Sequence, residues 1–91
     1  MPAIKVPQAD LLSMVNREGI LAAIQQGQLR EVLQARDPSK AISGGLSEII
    51  SYYDRRRYVC TFHRLRDGQG NPTTHFHPKD AVIQGQKYRD P

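Results

Sequence analysis

A chain of 91 residues with 38 % hydrophobic and 24 % charged side chains has room for one domain and one core, and it is too apolar for a disordered tail. No apolar run approaches the ~20 residues of a transmembrane helix, and no secretory-signal pattern opens the chain. The single cysteine, Cys60, permits neither an internal disulfide nor a cysteine-based zinc site, so a cytoplasmic protein without a cofactor is the expectation.

The formal net charge of +4 is unevenly spread. Residues 1–54 carry five Lys or Arg against six Asp or Glu, a sum of −1; residues 55–91 carry eight against three, a sum of +5. Such an excess suits an anionic partner, of which nucleic acid is the commonest, or else a solubilising surface.

Met1 to Pro7 alternates weakly and reads as a lead-in arm or a short edge strand. From Gln8 to Arg36 the apolar residues fall into three clusters: Leu11, Leu12, Met14 and Val15, then Ile20, Leu21 and Ile24, then Leu29, Val32 and Leu33. Spacings of three and four place each cluster on one helix face, and Gly19 and Gly27 divide the stretch into two or three short helices. Asp37-Pro38-Ser39 ends the region. A further short helix is expected after Ser43-Gly44-Gly45, because Leu46, Ile49, Ile50 and Tyr53 recur at i, i+3, i+4 and i+7.

After Asp54 the pattern turns to strands. Tyr58–His63, extending toward Arg66, is rich in β-formers, Asp67–Pro72 is a dense turn signal, and Thr73–His77 resumes a strand, so a β-hairpin is expected here. Pro78-Lys79-Asp80 is expected to break it, and Ala81–Ile83, Gln84-Gly85 and Gln86–Tyr88 form a second, tighter hairpin. The expected fold is thus α+β over residues 1–91 as one domain. In it a helical part (8–54) of two to three short helices plus one packs on a three- to four-stranded antiparallel sheet in a β part (55–90).

Three histidines carry the most specific chemistry. If Phe62 and Phe76 both face the helices, strand alternation puts His63, His75 and His77 together on the opposite face; a one-residue slip dissolves the cluster. Gathered imidazoles suit acid–base catalysis near neutral pH, as in RNA cleavage at the 2′-hydroxyl, with Arg64, Arg66 or Lys79 stabilising the charged phosphorane. His-x-His plus a third His also resembles a three-histidine zinc arrangement, and ordinary half-exposed strand residues would give the same sequence.

Arg55, Arg56 and Arg57, with Arg64 and Arg66 beyond them, are interleaved with Tyr52, Tyr53, Tyr58 and Phe62 in the manner of a nucleic-acid surface. Edge protection by charge is the plainer reading. Gly68-Gln69-Gly70 is a turn and not a dinucleotide fingerprint, Cys60 reads as core, and Asp67 reads as a turn cap. The leading expectation is a small basic domain whose nucleic-acid contacts, with RNA before DNA, come from Arg55, Arg56, Arg57, Tyr58, Arg64, Arg66 and Lys79. A toxin-type, metal-independent ribonuclease using His63, His75 and His77 is the alternative. An assembly homodimer, joined through the sheet edge or the helices, is the third.

Overall fold

Alternation, not helical periodicity, governs the middle of the chain. The computed structural model describes residues 2–91. A two-residue strand β1 (Ile4–Lys5) leads into helices α1 (Gln8–Arg17) and α2 (Ile20–Gln25). Five strands follow: β2 (Arg30–Pro38), β3 (Leu46–Asp54), β4 (Arg57–Arg66), β5 (Pro72–Ile83) and β6 (Gln86–Arg89). They form one sheet in the order β1-β6-β5-β4-β3-β2, parallel only between β1 and β6.

This corrects the expected architecture. The sheet has six strands and is mixed, and only two short helices are present among the described residues, both ending before Gly27. The cluster at Leu29, Val32 and Leu33 belongs largely to β2, and the apparent helix at Leu46–Tyr53 is β3. In β3 the buried positions Glu48, Ile50 and Tyr52 alternate, while Ser47, Ile49 and Tyr53 lie on the second face. A strand with apolar residues on both faces also satisfies a three-and-four spacing, so β-branched and aromatic content decides between the two. Of the readings for the first seven residues, the short edge strand is the one formed; Met1 lies outside the described residues.

Pro78 does not break β5. It is buried opposite Phe62, and Lys79 is the extra residue of a β-bulge before Asp80 pairs with Thr61. Bulges are where a sheet tolerates proline, because the ladder is already interrupted there. Both hairpins are present: Asp67 Oδ1 accepts from the amides of Gln69 and Asn71, each at 2.9 Å, and Gln84-Gly85 turns with φ of 52° and 79°. Positive φ at both central residues matches the twist of a two-residue hairpin.

The helices cover one face of the sheet, with α1 packed on β5 and β6. Leu11 and Val15, four apart and therefore on one stripe, are fully buried against Ile50, Tyr52, Cys60, Phe62 and Ala81. Phe62 and Phe76 stack at 4.3 Å between centroids, and Tyr52 meets both edge-on at 6.1 and 6.4 Å. The phenylalanines therefore both face the helices, which fixes the parity of every neighbour on β4 and β5.

Gly45 is the tightest point of the β2–β3 connection. A Cβ there would overlap the carbonyl oxygen of Arg66 and press on the Ile42 side chain. Gly45→Ala is expected to cost about 1–3 kcal/mol through this forced displacement, seen as a lowered thermal midpoint. The same substitution at Gly70, where a Cβ meets nothing within 4 Å, strains only the left-handed backbone.

Candidate active site

With Phe62 and Phe76 inward, the intervening side chains point to the face that carries no helix. His63 and His77 are direct cross-strand partners, and His75 lies one pleat further along β5. The three rings form a row, His63 to His75 at 4.8 Å and His75 to His77 at 4.2 Å between centroids, each pair edge to face. The row begins on a residue, Ser47, that the sequence suggests only as a candidate helix cap. Ser47 of β3 places its Oγ 2.6 Å from His63 Nε2, and His63 Nδ1 lies 3.0 Å from His75 Nε2.

These distances make a hydrogen-bonded relay. When the Ser47 hydroxyl donates to His63 Nε2, the His63 proton sits on Nδ1 and is donated to His75 Nε2, so Nε2 remains the acceptor in the row. Hydroxyl, imidazole and orienting third group in hydrogen-bond contact is the geometry by which a proton is drawn from an alcohol. The environment favours the neutral form of two of them, His63 and His75. Burial, Lys79 and then His77 hold His63 below its ordinary pKa of 6.5, and burial, His77 and then His63 do the same for His75.

The relay opens into a cleft of about 810 Å³ lined by Asp37, Pro38, Ser39, Lys40, Ala41, Ser47, His63, Leu65 and His75. One wall is the β2–β3 loop, where Ser39 Oγ accepts from the amides of Ala41 and Ile42, each at 3.1 Å. Lys40 lines the cleft from this loop, and Lys79 on the β5 bulge acts on His63 through its charge; both lysines are exposed.

The arginines are distributed otherwise. Arg64 and Arg66 share the parity of Phe62, so they lie on the helix-side face, away from His63. There they donate from Nε to Glu48 Oε1 at 2.8 and 2.7 Å, and Arg36 donates to Glu48 Oε2 at 2.8 Å. Glu48 is 0 % exposed. Glu31 accepts from Tyr52 at 3.1 Å and lies 3.5 Å from Arg64. Arg55, Arg56 and Arg57 stand exposed at the β3–β4 turn, around a shallow recess with Asp54.

Tyr58 is committed locally: its hydroxyl bonds Asp80 and Thr61, burial and then Asp80 raise its pKa, and Lys87 lies 5.6 Å from its ring centroid. Tyr53 is capped by Arg30 at 4.8 Å. Cys60 is buried, and its thiol is pushed up to about 12 by burial and Asp80; at that value it is no nucleophile near neutral pH.

Among the described residues no three His, Cys, Asp or Glu side chains are arranged to hold a metal ion. The two ring nitrogens in contact share a hydrogen bond instead of converging on a common point. No protein-family model, curated protein or solved structure matches this chain. Among the described residues no helix is long and apolar enough to cross a membrane.

Proposed function

We propose that the cleft is an acid–base site for cleavage of RNA at the 2′-hydroxyl. The observation that carries this reading is the row Ser47–His63–His75–His77 beside a cleft lined by Lys40, with the charge of Lys79 acting on His63. His63 is the base, with Ser47 and His75 holding its ring. His63 Nε2 takes the 2′-hydroxyl proton, directly or through Ser47, as the 2′-oxygen forms its bond to phosphorus. The bond from phosphorus to the 5′-oxygen then breaks, and His77, at the far end of the row, gives that oxygen a proton. Lys40 and Lys79 offset the charge gathering on the phosphoryl oxygens, the role that positioned cations serve in such transition states. We place the activity in the cytoplasm, where a lone buried thiol such as Cys60 stays reduced.

The exposed Arg55, Arg56 and Arg57 favour the broader form of the same reading, a module that binds RNA without cutting it. Arg64 and Arg66 support neither form, since Glu48 holds both. Incubation of a mixed RNA pool with the protein in a chelator separates the two forms. Fragments ending in 2′,3′-cyclic phosphate are expected. A salt-sensitive gel shift without fragments would leave only the binding module, and absence of both would end the RNA reading.

A further inference from the structure

One edge of the sheet is β2, whose outer side has no partner strand among the described residues. Eight of its nine residues are exposed, and Leu33, at 45 %, is one of two large hydrophobic side chains left in solvent among the described residues. The strand reads Arg30-Glu31-Val32-Leu33-Gln34-Ala35-Arg36-Asp37-Pro38. Laid antiparallel on a second copy about a two-fold axis between residues 33 and 34, it sets Arg30 opposite Asp37, Glu31 opposite Arg36, Val32 opposite Ala35 and Leu33 opposite Gln34. Both ends of the seam then carry two oppositely charged pairs, and the middle carries the apolar residues.

Such a register would fail in a regular strand. Residues 30 and 37 are an odd number apart and would point to opposite faces, whereas cross-strand partners must share one. The β-bulge between Leu33 and Ala35 removes the conflict, since Gln34 has no partner on β3. Arg30, Val32, Ala35 and Asp37 pair with Tyr53, Ser51, Ile49 and Ser47 on the open face, while Glu31, Leu33 and Arg36 pair with Tyr52, Ile50 and Glu48 on the helix face. Every proposed pair with a charged member therefore lies on one face. Moving the register one residue either way sets Arg30 against Arg36 or Glu31 against Asp37, like charges that also point to different faces. Charge placed on an edge for protection alone has no reason to be self-complementary in one register and repulsive in its neighbours.

We infer that β2 is an isologous interface: two copies of this chain pair antiparallel through β2 in the register Arg30–Asp37, joining their sheets into one. The pairing also sets Arg30 of the second copy beside Asp37, on the rim of the histidine cleft.

Sedimentation equilibrium tests this by charge exchange, with folding checked by circular dichroism. For the natural sequence the mass is expected to rise with concentration from 10.3 kDa toward twice that value. Arg30→Asp and Asp37→Arg should each weaken association about tenfold or more, because two attractive pairs become repulsive. The double variant Arg30→Asp/Asp37→Arg should restore it. A natural chain that stays at 10.3 kDa at every concentration overturns the inference. Single variants that associate as tightly as the natural chain, or a folded double variant that stays monomeric, overturn it equally.

Discussion

Replacing Glu48 by glutamine is expected to destabilise the fold by about 3–5 kcal/mol, the loss typical when one member of a buried ion cluster is removed. That is a large part of the roughly 5–15 kcal/mol of a small domain, so the variant should be substantially unfolded in urea concentrations that leave the natural protein intact. Arg36, Arg64 and Arg66 converge on this one carboxylate, which has no exposure to water. Without its charge, three guanidinium groups lose their shared counter-ion, and Arg64 alone keeps a second acid, Glu31, at 3.5 Å.

Acid should reproduce the effect in the natural chain. Burial alone would raise the Glu48 pKa, but hydrogen bonds from Arg36, Arg64 and Arg66 outweigh it and lower the value from 4.5 to about 2. The folded state thus binds this proton less readily than the unfolded chain. Its contribution, about 3 kcal/mol from the difference between those two values, is complete above pH 4.5 and drains away as pH falls toward 2. Urea midpoints measured across that window should fall for the natural protein and stay nearly level for Glu48→Gln.

The ring of arginines around Glu48 shows what was legible in the sequence. Once Phe62 and Phe76 are taken to face the helices, parity alone places Arg64 and Arg66 beside Phe62 and demands a counter-ion for them there. Glu48 shares the alternation of Ile50 and Tyr52 and meets that demand, but the i, i+3, i+4, i+7 spacing of Leu46, Ile49, Ile50 and Tyr53 masks the alternation. The same parity put His63, His75 and His77 on one face, and this required only the local hairpin. Ser47 was hidden because its contact with His63 runs diagonally between β3 and β4, and a helical spacing gives no sign of cross-strand neighbours. On β2, burial could not signal a strand: eight of nine positions are exposed, and the bulge at Gln34 interrupts the alternation that would have revealed it. Local chemistry was readable where turns and β-formers agree, and it failed where tertiary packing overrides an ambiguous periodicity.

Exchange of His63 for alanine is expected to lower RNA cleavage by 10²- to 10⁴-fold, the usual range for loss of a general base, with little change in RNA affinity. The pH profile is the more discriminating measurement. His63 works as a base only when neutral, and burial, Lys79 and His77 lower its pKa, so the acid limb of the rate should lie below 6.5. Lys79→Gln removes one of those positive neighbours and should move the limb upward, toward more neutral pH, even where the rate itself falls. Stability should follow the same sign. A histidine whose folded pKa is depressed stabilises the fold above its unfolded value, and that stabilisation is lost as pH drops through the folded one. Ser47→Ala supplies the counterpart: it leaves every charge in place but removes the 2.6 Å partner of Nε2. If Ser47 orients the base, this variant should lower kcat more than it changes KM, with the acid limb displaced. If the serine merely fills space, the limb should not move.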